Sequence, residues 1–418
     1  MRVRNTLSAI LGVVLLGTTL SAQAMVHRVY EGESIQAAID AAAPGDTILV
    51  EPGTYQESAD AGYGLRISTD NIRLIGKDRP HRKRGKGWGK GQGNGNAYGH
   101  GNGNGNGNSD GVVRILHNGD QETGIYAAPE GCEYKDSECD AQLHGFYLRG
   151  FTVEGFPVNG IQTRWVDGFK FVRNQSVNNL NNGIYPTLSA NGLVRDNVSY
   201  GSLDTSMWVA GSENVRVVGN DLSGSPIGFE ITVSNNVTVA RNKIHNNTVG
   251  VGLFHPNAAG NPPLETMKDW IIRNNDISDN NLPNPAPPGT FQAGLPAGYG
   301  VLLLGVSDHK VVNNRLDGND AAGIAVLDWC TAVGLADASR DCVARPPIAD
   351  PSVNNVLVAR NTLTDNGANP PPLGIPGVDL LFIHLTGDAM GNCYRRNKPE
   401  ELTFLSLQPD AELPTDGC

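Results

Sequence analysis

One short pattern returns down this chain at a nearly constant step. The segment Val217 to Leu222 (VVGNDL) recurs at Val239 to Ile244, Ile272 to Ile277, Val311 to Leu316 and Val358 to Leu363, with looser copies around Asn174 and Asn197. Its asparagines fall at Asn174, Asn197, Asn220, Asn242, Asn275, Asn314 and Asn361; the first three intervals are 23, 23 and 22 residues and the later ones are longer. A second marker keeps the same beat. Glycine followed by an apolar residue opens short apolar runs at Gly160, Gly183, Gly228, Gly250, Gly300 and Gly323, with Ser206-Met207 standing in once and earlier copies at Gly64 and Gly124.

A unit of about 22 residues, holding two or three strands of four or five, cannot bury its apolar face alone. It must stack on its neighbours as a coil of parallel strands around one shared interior. Inward and outward positions then alternate along each strand. The recurring asparagine sits at a bend, where its amide can bond the amide one coil above and pair groups that would otherwise be buried unsatisfied. A leucine-rich repeat has the right length, but its leucine framework is absent.

The opening of the chain gives this coil an end. Ile35, Ala38, Ile39 and Ala42 line one helix face, Ser34 can cap its start, and Pro44-Gly45 stops it. Glu33 to Ala42, followed by Pro44 to Val50 and Pro52-Gly53-Thr54-Tyr55, resembles the N-terminal motif of the right-handed parallel β-helix proteins of the pectate-lyase-like (pectin lyase fold) group. The resemblance implies an all-β fold: a right-handed parallel β-helix with a short N-terminal capping α-helix, one domain over residues 25–418.

Residues 1–24 read as a secretory signal, with Arg2 and Arg4 as the basic head, an apolar stretch from Ile10 to Leu20 and Ala22-Gln23-Ala24 as the cleavage site. The stretch is short for a bilayer span. The mature chain is therefore expected to be secreted or periplasmic, with no integral membrane association. Six cysteines suit that compartment. Taken as sequential neighbours they suggest Cys132–Cys139, Cys330–Cys342 and Cys393–Cys418, one of 15 connectivities. No zinc-type spacing competes.

The formal charge is −11. Residues 77–110 depart from it: residues 77–90 alone carry seven Lys or Arg against one Asp, followed by Gly/Asn repeats, a composition expected to be disordered. A basic insertion on an acidic body is a plain solvated loop or a means of holding a polyanion such as an acidic polysaccharide. Nucleic acid is not expected, because the body repels phosphate and no recognition motif is present. Other insertions, at 256–269, 282–298 and 329–352, should gather along one side of the coil.

The residue after each glycine-apolar pair forms an outward column: Arg66, Tyr126, Gln162, Tyr185, Trp208, Glu230, Gly252, Leu302, Ala325. A neighbouring column holds Arg164, Thr187, Ala210, Thr232 and Phe254. With coils about 4.8 Å apart, Tyr185, Trp208 and Glu230 become vertical neighbours. Trp208, Tyr126, Gln162 and Arg66 are expected to bind substrate. The apolar upper part (Leu302, Leu304, Leu327) needs a cover from 329–352 or from the C-terminal tail.

The resemblance implies three chemistries. A lyase for a uronate-containing polymer, working by β-elimination, needs a base and a cation to neutralise the carboxylate; Tyr185 and Arg164, with Glu230 beside them, suit it best, and this is the favoured reading. A glycoside hydrolase needs two carboxyls; Glu230 is one, but Asp204 could approach only from a turn. An epimerase of the same fold is the third. The competing class is a non-catalytic glycan-binding or periplasmic accessory module handling metal, with His255, Asp328 and His384 as a second acid–base or metal set. These residues require no cofactor, and Ca2+ is the ion the resemblance would add, although the column lacks the clustered aspartates such sites use. The expected partner is a polysaccharide, and the expected state a monomer.

Overall fold

The computed structural model describes residues 24–58, 62–77, 111–136, 138–254, 267–336, 352–386, 389–399, 402–407, 412–415 and 417–418. The expected signal sequence apart from Ala24, the basic Gly/Asn-rich insertion apart from Lys77, His255 and Cys342 lie outside them.

Three sheets of parallel strands run side by side, with twelve, ten and eleven strands among the described residues. Successive strands pass from the first sheet to the second to the third and back, so each circuit adds one strand to each sheet. One circuit reads Val166–Val172, Gln175–Val177, Asn182–Thr187; the next reads Leu193–Arg195, Val198–Tyr200, Thr205–Ala210. The register follows the repeat: Phe171 lies against Val194, Ser176 against Ser199, and Ile184 against Met207. This is a parallel β-helix with a continuous apolar interior that includes Ile184, Met207, Phe229, Val251, Val301 and Ile324.

The asparagine ladder forms at the bend between the first and second sheets. Asn174 Nδ2 donates to Asn197 Oδ1 at 3.1 Å, Asn197 to Asn220 at 2.9 Å, and Asn220 to Asn242 at 2.9 Å. The series continues through Asn275, Asn314 and Asn361 and ends on Asn397, one rung beyond the sequence expectation. Each Nδ2 also reaches a backbone carbonyl, as Asn220 does to Val194 O at 3.1 Å. A second ladder, Asn247, Asn280, Asn319 and Asn366, occupies the next bend. Paired in this way, the buried amides are satisfied along the axis rather than left without partners.

The capping helix α1 covers Ile35–Asp40; Ser34 Oγ accepts from Ala37 N at 3.0 Å, and Ile35 and Ile39 face the core. Glu57 accepts from Ile35 N at 2.7 Å and from the Ser34 hydroxyl, a second cap absent from the sequence reading. At the far end, the Cys393–Cys418 disulfide fastens the tail and Leu413 packs against the core. Cys132–Cys139 is formed as expected, and Cys330 is disulfide-bonded.

Candidate active site

The outward column of the third sheet keeps the expected register. Gln162 pairs with Tyr126 and Tyr185, Trp208 with Glu230, Glu230 with Gly252, and Gly252 with Leu302. It is not an open ladder. Two covers lie over it, and every member above Arg66 is buried.

The lower cover is the stretch 129–136, closed by Cys132–Cys139. Arg66 donates to the carbonyls of Ala128 at 2.8 Å and Pro129 at 2.8 Å, and its guanidinium lies 4.9 Å over the Tyr126 ring. Tyr126 stacks on Tyr63 at 4.5 Å with no exposed surface, and burial holds its hydroxyl well above the ordinary phenol range. Gln162 is buried and accepts from Asn159 Nδ2 at 2.9 Å. Arg164 reaches the carbonyls of Tyr134 and Asp136 and lies over Trp165. The expectation of an open binding surface is therefore corrected: Tyr126 and Gln162 are fully buried, Arg66 braces the cover and Arg164 clamps it. A guanidinium satisfies carbonyls as readily as a carboxylate, and one sequence cannot tell the two roles apart.

The upper cover combines the Pro-rich insertion with helix α2, Trp329–Ala336. Phe291 and Leu295 join Leu302, Leu304, Leu327 and Trp329 in an apolar cluster outside the coil, around a cavity of about 230 Å³. The 329–352 cover is thus seen in its first turns, the 282–298 insertion joins it, and Leu405 near the C-terminus packs against the same cluster. Asp328 caps α2, accepting from Thr331 N at 2.8 Å, Thr331 Oγ1 at 2.6 Å, Leu385 N at 2.8 Å and Thr386 Oγ1. Burial pushes its pKa up, but these donors outweigh burial and hold it below the ordinary value. Its oxygens are occupied, so the acid–base or metal set is corrected at this member; His384 stacks on Phe382 at 6.2 Å. No group of three or more His, Cys, Asp or Glu suited to a metal ion occurs among the described residues.

The chemistry lies between the covers. Tyr185 stacks on Trp208 at 4.6 Å and 12°, and Trp208 Nε1 donates to Thr232 Oγ1 at 2.9 Å. One coil up, Glu230 is 1% exposed and is not a solvated surface acid. Asp204, in the turn before the strand, comes to meet it. Thr205 Oγ1 lies 2.8 Å from Glu230 Oε2 and 3.0 Å from Asp204 Oδ1. A hydroxyl has one proton and can donate to only one of them. Both contacts are full hydrogen bonds only when one carboxyl carries a proton and donates to the hydroxyl oxygen. Burial gives the same answer: it raises Asp204 to about 7, against hydrogen bonds from Thr205 and Gln292, and drives Glu230 well above the ordinary range, with the Asp204 charge adding to the effect. The carboxyl oxygens on Thr205 are no more than about 6 Å apart, within reach of the closer carboxyl spacing of glycosidases.

Residues 159–337 match a family model described as a right-handed β-helix region. No curated protein matches the chain in sequence. Among solved structures, the A-module of mannuronan C-5 epimerase AlgE6 from Azotobacter vinelandii is 15% identical, with a TM-score of 0.50 over 88% of this chain and 95% of that one. DFA-IIIase from Arthrobacter chlorophenolicus A6 is 13% identical, with a TM-score of 0.50 over 93% of this chain and 86% of that one. Such likeness fixes fold alone. The protein is a right-handed parallel β-helix, the architecture that its resemblance to the pectate-lyase-like group implies.

Proposed function

We propose that this is an exported carbohydrate-active enzyme that cleaves a glycosidic bond by general acid–base catalysis, with Asp204 as the group that meets the substrate. The observation carrying this reading is the single Thr205 hydroxyl shared by two carboxyls. Asp204 is only partly buried, whereas Glu230 is enclosed. Below pH about 7, Asp204 is protonated and can pass its proton to the leaving glycosidic oxygen. The C–O bond breaks, water attacks the anomeric carbon, and the proton released by that water returns to the Asp204 carboxylate. Glu230, held neutral by burial, keeps the Thr205 hydroxyl oriented and is a positioning residue. Disulfides agree with export, and no described helix is long and apolar enough to cross a membrane.

Cleavage by elimination has less support. Its neutralising cation would be Arg164, whose guanidinium is committed to the carbonyls of Tyr134 and Asp136. The test is incubation with neutral and acidic poly- and oligosaccharides, assayed for reducing ends and for ultraviolet absorbance from unsaturated ends. Reducing ends without that absorbance, lost at least a thousand-fold in Asp204→Asn, are expected. Unsaturated products, or full activity in Asp204→Asn, would overturn the reading.

A further inference from the structure

The first sheet has a charge pattern that the proposed active site does not use. Its strands carry nine Lys or Arg against two acids, whereas those of the second sheet carry three against four and those of the third two against two, in a chain of net charge −11. The basic residues are spread evenly along the axis. Every one of ten successive coils, from Ile72–Gly76 to Cys393–Arg395, places at least one cation on the outer face of this sheet or at the bend that ends it. In the central coils these are Arg149, Lys170, Arg195, Arg216, Arg273 and Lys310 on the strands. Coils whose strands lack a cation have one at the bend: Arg241 after Asn235–Ala240 and Arg360 after Leu357–Ala359.

The bend residues give an independent observation. The position just before each ladder asparagine is left-handed throughout. It is Asp196, Gly219, Asn274 and Asn313 in four coils, but Arg173, Arg241, Arg360 and Arg396 in the others, at φ of 56°, 57°, 56° and 55°. Glycine or asparagine adopts this conformation more easily than arginine. Arginine at half of these bends is therefore not explained by backbone geometry. All four side chains are exposed. Arg360 leans on Asn313 Oδ1 at 3.0 Å, and none of the four has an ion-pair partner among the described residues. Asp196 pairs with Arg195 at 3.4 Å, while the two strand acids, Asp167 and Glu213, sit at the opposite end of their strands.

We infer that this face is a docking surface for a linear acidic polysaccharide with one carboxylate per sugar, lying along the coil axis and separate from the Asp204 site. Coils rise about 4.8 Å each, close to the length of one pyranose unit. One cation per coil therefore matches one uronate per coil, over about 45 Å. A single-stranded nucleic acid would need aromatic platforms for its bases. The one tyrosine among this sheet's strand residues that points outward, Tyr147, already lies under the Arg73 guanidinium at 4.6 Å. A membrane surface would need apolar anchors. No exposed large apolar side chain occurs on the central coils of this sheet.

The test uses the full chain carrying Arg173→Asn, Arg241→Asn, Arg360→Asn and Arg396→Asn together. Asparagine is the residue found at the equivalent bends 274 and 313, so the coil is retained. Binding to alginate and to polygalacturonate is measured at several salt concentrations, with pullulan, phosphatidylglycerol vesicles and oligo(dT) as comparisons. The parent is expected to bind both uronates and not pullulan. The quadruple variant should bind the uronates at least ten-fold more weakly, with a flatter dependence on salt. Asp204→Asn should bind like the parent, so this result is read apart from catalysis. Equal uronate binding by parent and variant, no uronate binding at low salt, or equal or tighter binding to vesicles or oligo(dT) would overturn the inference.

Discussion

Replacing Asp204 by asparagine should make the protein progressively more stable than its parent as pH rises. The native carboxyl titrates at about 7 because burial disfavours its charge, against an ordinary value of 3.8. Below the unfolded value, both states hold the proton and nothing is lost. Between that value and about 7 the native state binds more protons than the unfolded one, so stability falls as pH rises. The loss is complete above the native value. A shift of this size corresponds to a ceiling of about 4 kcal/mol. Asp204 is partly exposed, and solvent screening brings the expected loss nearer to about 2 kcal/mol. Asparagine keeps partners for Thr205 and Gln292 without titrating. Urea unfolding of parent and variant at pH 4.5 and pH 8, followed by tryptophan fluorescence and circular dichroism, should show the variant gaining about 2 kcal/mol on the parent between the two conditions. A difference that stays constant with pH would show that Asp204 ionises normally and would remove the basis for a neutral acid at this site.

Three further outcomes are expected. If Asp204 is the general acid, kcat/KM should hold below pH 7 and fall about ten-fold per unit above it; a profile rising through pH 8 would contradict this. Asn220→Ala removes bonds to Val194 O and Asn242 Oδ1 and the acceptor of Asn197 N in a buried bend, and should destabilise the coil by about 3 kcal/mol, read as a lowered urea midpoint. Arg164→Ala should release the 129–136 cover, with faster amide hydrogen exchange around Tyr134 and Asp136; unchanged exchange would return Arg164 to the pool of free cations.

Much of this structure was legible in the repeat. The step of the asparagines gave the ladder, and the glycine-apolar pairs gave the register that stacks Tyr185, Trp208 and Glu230. Two things were not legible. Periodicity says which way a side chain points from the coil, but not whether an insertion folds back over it. Tyr126 and Gln162 therefore read as surface residues, although both are fully buried. The acid pair was named but set aside, because Asp204 precedes its strand, outside the columns the period defines, and could approach only from a turn. The register pairs Thr205 with Ile227, three residues short of Glu230, so the period gave no sign that its hydroxyl meets that acid. Gln292 had none either, since a Pro-rich insertion carries no pattern that predicts where it lands.

The rungs of the amide ladder join residues 22, 23, 33, 36, 39 or 47 positions apart, yet the Nδ2 to Oδ1 distances stay between 2.9 and 3.1 Å. Axial pitch is therefore independent of how much polypeptide wanders off between two turns. An excursion of any length can be exchanged for another, provided it leaves and rejoins at the same two bends. The screw-like frame stays in place while its overhangs are rewritten, and the clefts they enclose can change without retuning the interior.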